Sequence, residues 1–317
     1  MSKHIYIYSP SGAVRDKAAF RRGVALLKGL GHEVEVDPDA LRSYQRFAGD
    51  DAIRLAAIHR AVDSGADVAL ISRGGYGYTR LLPQINYKKV ALAVRKGMLL
   101  VGMSDFTAFQ CAVLAKTGAS TWAGPGLCDG FGAGDRGKVG AALDPDEIML
   151  ACFQDLMAGQ SEGTGWRQSL RPGHTAAQPG EDLVVRNAVL WGGNLSMLTA
   201  LLGTPYFPDI HRGVLFLEDT AEHPYRIERM LTQLLHAGVL DRQRAIVLGQ
   251  FTDYKLVPHD RGYRLSGVIA WLRAQTRTPV ITNLPYGHVP TKVLLPVGAR
   301  VDLAAQGRDV LMVWGHV

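Results

Sequence analysis

The chain has little of what marks a secreted, membrane-embedded or metal-clustered protein. Its 317 residues include three cysteines, Cys111, Cys128 and Cys152. An odd number without Cys-x-x-Cys spacing argues against a disulfide framework and a zinc cluster, and fits a reducing compartment. No apolar run approaches the ~20 residues needed to cross a bilayer. Met1-Ser2-Lys3 leads directly into an alternating strand pattern, without the apolar region and cleavage site of a leader, so a cytoplasmic protein is expected. No His-x-x-x-His pair offers metal ligands, and neither a metal nor another cofactor is expected. The formal net charge is +6, yet Lys and Arg are scattered with no dense, aromatic-interleaved cluster. That pattern describes a solvated basic surface rather than a nucleic-acid footprint, and it is compatible with an anionic substrate.

What is present suits a globular protein: 47% hydrophobic residues, 20% charged, and a length that suggests two domains. In the first half, short strands alternate with helices. A strand at His4–Ser9 ends in Ser9-Pro10-Ser11-Gly12, a helix spans Asp16–Leu30, and a strand begins at His32. A second helix at Asp50–Ser64 precedes the apolar strand Asp67–Ser72. This order implies a mostly parallel sheet. After a helix at Asp144–Met157, composition shifts over 158–180 to Gly, Ser, Gln and Pro with little periodicity, and this stretch is expected as a linker. The expected domains are therefore 1–157 and 181–317. In the second, Val214–Leu217 is a buried strand, His223–Ala237 a helix, and Pro296–Leu303 with Val310–Trp314 a closing hairpin-like pair.

The stretch Leu99-Leu100-Val101-Gly102-Met103-Ser104-Asp105-Phe106-Thr107 runs from an apolar strand through a small-residue corner into a helix that stops at Gly118. Such a turn lifts a serine oxygen clear of the sheet and aims the first N–H groups of the helix at whatever it attacks, as in a nucleophile elbow. The full Gly-x-Ser-x-Gly pattern would need glycine where Phe106 stands, and Ser104 by itself reads as an N-cap. The neighbouring loop Arg73-Gly74-Gly75-Tyr76-Gly77 admits two readings: a phosphate cradle without the usual spacing, or a close backbone approach that helps hold an oxyanion.

Two side chains could complete a nucleophilic site. Glu218 follows Val214-Leu215-Phe216-Leu217, which places a carboxylate, with Asp219 beside it, where a buried strand meets a loop. His288, in Tyr286-Gly287-His288-Val289-Pro290, is the histidine framed by Gly and Pro in a loop after a strand. The order Ser, acid, His is one in which the imidazole activates the hydroxyl and the acid fixes its tautomer. The serine would come from one domain and its partners from the other.

These residues carry a resemblance. Ser9-Pro10-Ser11-Gly12, Arg73-Gly74-Gly75-Tyr76-Gly77 with Arg80-Leu81-Leu82-Pro83, and Gly102-Met103-Ser104-Asp105-Phe106-Thr107 occur in the order seen in the L,D-carboxypeptidase family. Gly192-Gly193-Asn194-Leu195, Glu218-Asp219 with Pro224-Tyr225-Arg226, and Gly287-His288-Val289-Pro290 continue the series. The family includes murein tetrapeptide carboxypeptidases and microcin-immunity-type peptidases. The resemblance implies a mostly parallel α/β N-terminal domain and a smaller β-rich α/β C-terminal domain. It implies Ser104 as nucleophile, Glu218 and His288 as its partners, and backbone oxyanion donors at Asp105 and the Gly74-Gly75 turn. Relatives often carry tyrosine at the position of Met103. The implied substrate is a muropeptide or other peptide ending in a D-amino acid, cut during peptidoglycan recycling by a homodimer, with no nucleic acid or membrane partner. Arg73 or Arg80 could bind the terminal carboxylate. Three competing readings are a peptidase of aminoacyl-nucleotide-like conjugates, a non-catalytic small-ligand module, and a nucleotide-binding enzyme.

Overall fold

The computed structural model describes residues 2–132, 145–168 and 182–316. The chain divides into two units, one of residues 1–161, 204–208 and 290–297, the other of 162–203, 209–289 and 298–317.

The first unit is built on β1 (His4–Tyr8), β2 (Glu33–Val36), β3 (Val68–Ile71), β4 (Leu99–Gly102) and β5 (Thr121–Ala123). These pair in parallel, in the order β5-β4-β3-β1-β2. β3 is buried along its whole length, as a central parallel strand covered on both faces must be. The helices are α1 (Lys17–Gly29), α2 (Asp51–Asp63), α3 (Tyr87–Arg95), α4 (Phe106–Thr117) and α5 (Glu147–Ala158). Asp16, Asp50, Asn86 and Asp146 cap α1, α2, α3 and α5, each side chain accepting from the N–H three residues on. α4 has no such side-chain cap, and it follows Ser104.

The second unit contains β6 (Gly163–Arg167), β7 (Leu183–Asn194), β8 (Val214–Thr220), β9 (Ala245–Thr252) and β10 (Val280–Ile281). Near the end of the chain, β11 (Leu295–Val297) precedes β12 (Arg300–Gln306) and β13 (Asp309–Val313). The second sheet runs β10-β9-β8-β7-β12-β13-β6, parallel from β10 to β7 and antiparallel from there to β6. Its helices are α6 (Leu195–Leu201), α7 (Pro224–His236) and α8 (Leu265–Gln275).

Two expectations change. Within 158–180, residues 163–167 form β6, an edge strand paired with β13; residues 169–181 lie outside the described residues. Its Gly-Thr-Gly sequence hid a strand whose backbone bonds need no side-chain pattern. The run expected as one strand from Pro296 to Leu303 breaks at Gly298, in the left-handed region at φ 98°. The residues before the break form β11, antiparallel to β5 in the first sheet, whereas those after it form the β12–β13 hairpin of the second. No helix among the described residues is long and apolar enough to cross a membrane.

Candidate active site

The carboxyl end of β4 turns into α4 at Ser104, whose φ is +63°. A non-glycine residue in the left-handed region is uncommon and costs of order 1–3 kcal/mol, and such strain clusters at functional sites. Ser104 is not the N-cap. Asp105 holds that position, and the Ser104 hydroxyl has no hydrogen-bond partner among the described residues. The Ser104 backbone carbonyl accepts from Thr107 N–H at 2.9 Å, which closes the turn tightly.

The Arg73-Gly74-Gly75 turn, at the end of neighbouring β3, approaches closely. A Cβ added at Gly74 would lie 2.6 Å from Ser104 Cβ and 2.9 Å from its Oγ. Gly75 has φ 125°, and a Cβ there would lie 3.1 Å from Gly12 Cα. Gly12 N–H donates to Gly74 O at 3.2 Å, fastening the turn to the loop after β1. Among the described residues, the amide N–H groups of Gly74, Gly75 and Asp105 donate to no protein acceptor. The Asp105 side chain is fully buried, and its Oδ2 accepts from Ser11 Oγ and from Tyr78 N–H at 3.0 Å. Burial pushes its pKa up, against the opposing effect of those hydrogen bonds. One carboxylate therefore joins the loops that follow β1, β3 and β4. Arg80 pairs with Asp51 at 2.8 Å and lies over the Phe47 ring.

In the second unit, β8 continues through Thr220, so Glu218 stands inside the strand rather than at its end. A register shift against β9 falls at this residue, between Leu217 and Asp219, and re-aims its side chain. Glu218 is fully buried, and its Oε2 meets His288 Nδ1 at 2.8 Å. A carboxylate only accepts, so this bond puts a proton on Nδ1 of the imidazole. The His288 side chain is 23% exposed, so the ring is held from inside and reachable from outside. Gly287 makes room for this pair: its φ is 144°, and a Cβ would lie 2.9 Å from Gln250 O and 3.3 Å from Glu218 Oε2.

A supporting network escaped the sequence reading. Asn194 Nδ2 donates to Glu218 Oε1 at 3.2 Å and to Asp219 Oδ1 at 3.0 Å, while its Oδ1 caps α6 at Met197 N–H. Asp219 Oδ2 accepts from Ser196 N–H and Oγ. Burial raises the pKa of Asp219 and the Glu218 charge adds to the rise, against the Ser196, Thr220 and Asn194 bonds. The signal was the Gly192-Gly193-Asn194-Leu195 motif, where asparagine precedes a short apolar helix as a cap does. Among the described residues, no group of three or more His, Cys, Asp or Glu converges as a metal site.

Fold and residues together define a two-unit α/β protein with a strained serine elbow in one unit and a buried acid–imidazole pair in the other. Residues 5–124 match the LD-carboxypeptidase N-terminal domain and residues 187–303 the LD-carboxypeptidase C-terminal domain, and the chain belongs to that family. The crystal structure of muramoyltetrapeptide carboxypeptidase from Oxalobacter formigenes is similar at 38% identity and a TM-score of 0.82, over 98% of this chain and 97% of that one. The murein tetrapeptide carboxypeptidase of Pseudomonas aeruginosa is 30% identical over 85% of this chain and 81% of its own. A microcin self-immunity protein of Escherichia coli is 25% identical over 95% of this chain and 90% of its own.

Proposed function

We propose that the chain is a serine carboxypeptidase that removes the terminal D-alanine from murein tetrapeptides during peptidoglycan recycling. Ser104 is its nucleophile, His288 the base and Glu218 the group that orients the base. The observation that carries this reading is the 2.8 Å bond between His288 Nδ1 and fully buried Glu218, the contact by which an acid orients a catalytic imidazole.

In this mechanism Nε2 takes the Ser104 proton as Oγ bonds to the carbonyl carbon. The N–H groups of Asp105 and the Gly74-Gly75 turn receive the oxyanion, each donor contributing roughly 2.7–4 kcal/mol to the barrier reduction. Collapse breaks the C–N bond, and the imidazolium returns its proton to the departing amine of D-alanine. Water, deprotonated by His288, then releases the acyl group from Ser104. The strain at Ser104 supports this role, because it holds Oγ in place before substrate arrives. The same reading gives a homodimer working in the cytoplasm, and sedimentation checks the dimer.

The decisive assay is mass-spectrometric detection of D-alanine released from purified muropeptide tetrapeptide, with chelator present and Ser104→Ala as control. Release by the wild type alone is expected; release by Ser104→Ala overturns the assignment. The 25% identity to the microcin self-immunity protein favours a second substrate class, aminoacyl-nucleotide-like conjugates. The higher identities to the murein enzymes, 38% and 30%, put the peptide first. A side-by-side rate comparison separates the two.

A further inference from the structure

Arg73 is half-buried yet nearly without partners. Of its five N–H donors one is used, Nη1 to Ala13 O at 3.1 Å, and no carboxylate forms an ion pair with it among the described residues. Its remaining N–H donors are open to water or to a ligand.

Two further cations converge there. Ala13 N–H donates to Arg46 O at 3.0 Å, and Arg15 follows two residues after Ala13. The Arg46 guanidinium lies 5.8 Å over the ring of Tyr76, which belongs to the same loop as Arg73. Arg15 and Arg46 are exposed, and neither pairs with an acid among the described residues. Burial lowers the pKa of Arg73 and the charges of Arg15 and Arg46 lower it further; Asp129 attracts it without forming an ion pair. The turn is also shaped for the fork. A Cβ added at Gly12 would lie 2.5 Å from Arg73 Nη1, and one at Gly75 would lie 3.5 Å from it. Gly74, next in the same turn, approaches Ser104. Neighbouring glycines of one turn thus lie against Ser104 and against the Arg73 fork.

We propose that Arg73, flanked by Arg15 and Arg46, binds the free carboxylate at the end of the substrate and so makes this enzyme an exopeptidase. The planar fork matches a carboxylate with two parallel bonds, and the two exposed arginines raise the local positive potential that draws the anion in. This inference rests on the reading of Ser104 as the nucleophile.

The test compares a murein tetrapeptide with the same peptide amidated at its D-alanine end. The wild type should cleave the amide with kcat/KM about 10- to 100-fold lower, the range for a charge-assisted bond. Arg73→Gln should lose a similar factor on the acid and little on the amide, with Arg73→Lys between. Arg15→Gln and Arg46→Gln should each lose a few-fold on the acid, a loss that fades as salt screens exposed charge. Labelling of Ser104 by a fluorophosphonate probe should be unchanged in Arg73→Gln, showing an intact elbow. Equal losses on acid and amide, or a wild type indifferent to amidation, would overturn the carboxylate site while leaving the carboxypeptidase reading in place. No release from either peptide by the folded wild type would overturn that reading, and this inference with it.

Discussion

The elbow of the first unit and the acid–imidazole pair of the second hold their key atoms by different means. Ser104 is set by backbone: a left-handed φ, a 2.9 Å closure from Thr107 N–H, and a glycine turn too close to admit a side chain. His288 is set by side chains: Glu218 holds its Nδ1, Asn194 holds Glu218, and Asn194 is tied in turn to Asp219 and to α6. A backbone device fixes a position to a fraction of an ångström and tolerates no added bulk. A side-chain network fixes direction and degrades step by step as its members are removed. The difference suits the roles proposed for them, since a nucleophile must be placed whereas a base must be oriented.

That comparison can be broken at its strongest points. Ser104→Ala removes the atom proposed to attack without touching the turn, and kcat should fall by roughly 10⁴-fold or more, measured as D-alanine release, with melting temperature preserved. Glu218→Gln keeps the volume of a fully buried group but lets the amide impose the wrong imidazole tautomer, and roughly 10³- to 10⁴-fold in kcat should be lost. Gly74→Ala probes the backbone device alone. Its new methyl would need the space 2.6 Å from Ser104 Cβ, so a loss of about 10²-fold is expected, with about 1–3 kcal/mol of destabilisation in urea melts. Asn194→Ala probes the network one step out. About tenfold in kcat should go, together with about 1–2 kcal/mol of stability from the lost helix cap and bridge. If Asn194→Ala costs as much as Glu218→Gln, the graded picture of the second unit is wrong.

The smallest effect expected provides a baseline for the first unit away from the elbow. Asp37 accepts both arms of the Arg60 fork at 2.8 Å and the Tyr6 hydroxyl at 2.8 Å. Burial alone would raise its pKa, but the bonds to Arg60 and Tyr6 outweigh it and hold the carboxyl below the usual aspartate value. A depressed folded pKa means stability present in full above the unfolded value of about 3.9 and lost as pH falls through the lower folded value. The stability difference between wild type and Asp37→Asn should therefore be constant near neutrality and shrink below about pH 4, with D-alanine release at pH 7 unchanged.

Much of this architecture was legible in the sequence. Asp16 and Asp50 precede amphipathic runs and do cap α1 and α2, and the runs at 68–71 and 99–102 are central parallel strands. α3, nine residues long and capped by Asn86, is not among the elements expected from the sequence. Ser104 was readable as a corner residue but ambiguous between cap and nucleophile, since the same small polar side chain suits both. Glu218 and His288 were readable as separate candidates.

The sequence by itself determined the local elements, their caps and the residue types available for chemistry, because these follow from periodicity and from interactions within a turn or two. Only the tertiary structure decided that His288 meets a carboxylate 70 residues away, and that Asn194 supports it. It likewise decided that Arg46 reaches the ring of Tyr76 in the Arg73 loop, and that β11 joins the first sheet while β12 joins the second. Contacts between distant segments are chosen by the packing of whole sheets and by where buried polar groups find partners. That choice leaves no periodic trace in the residues that make it.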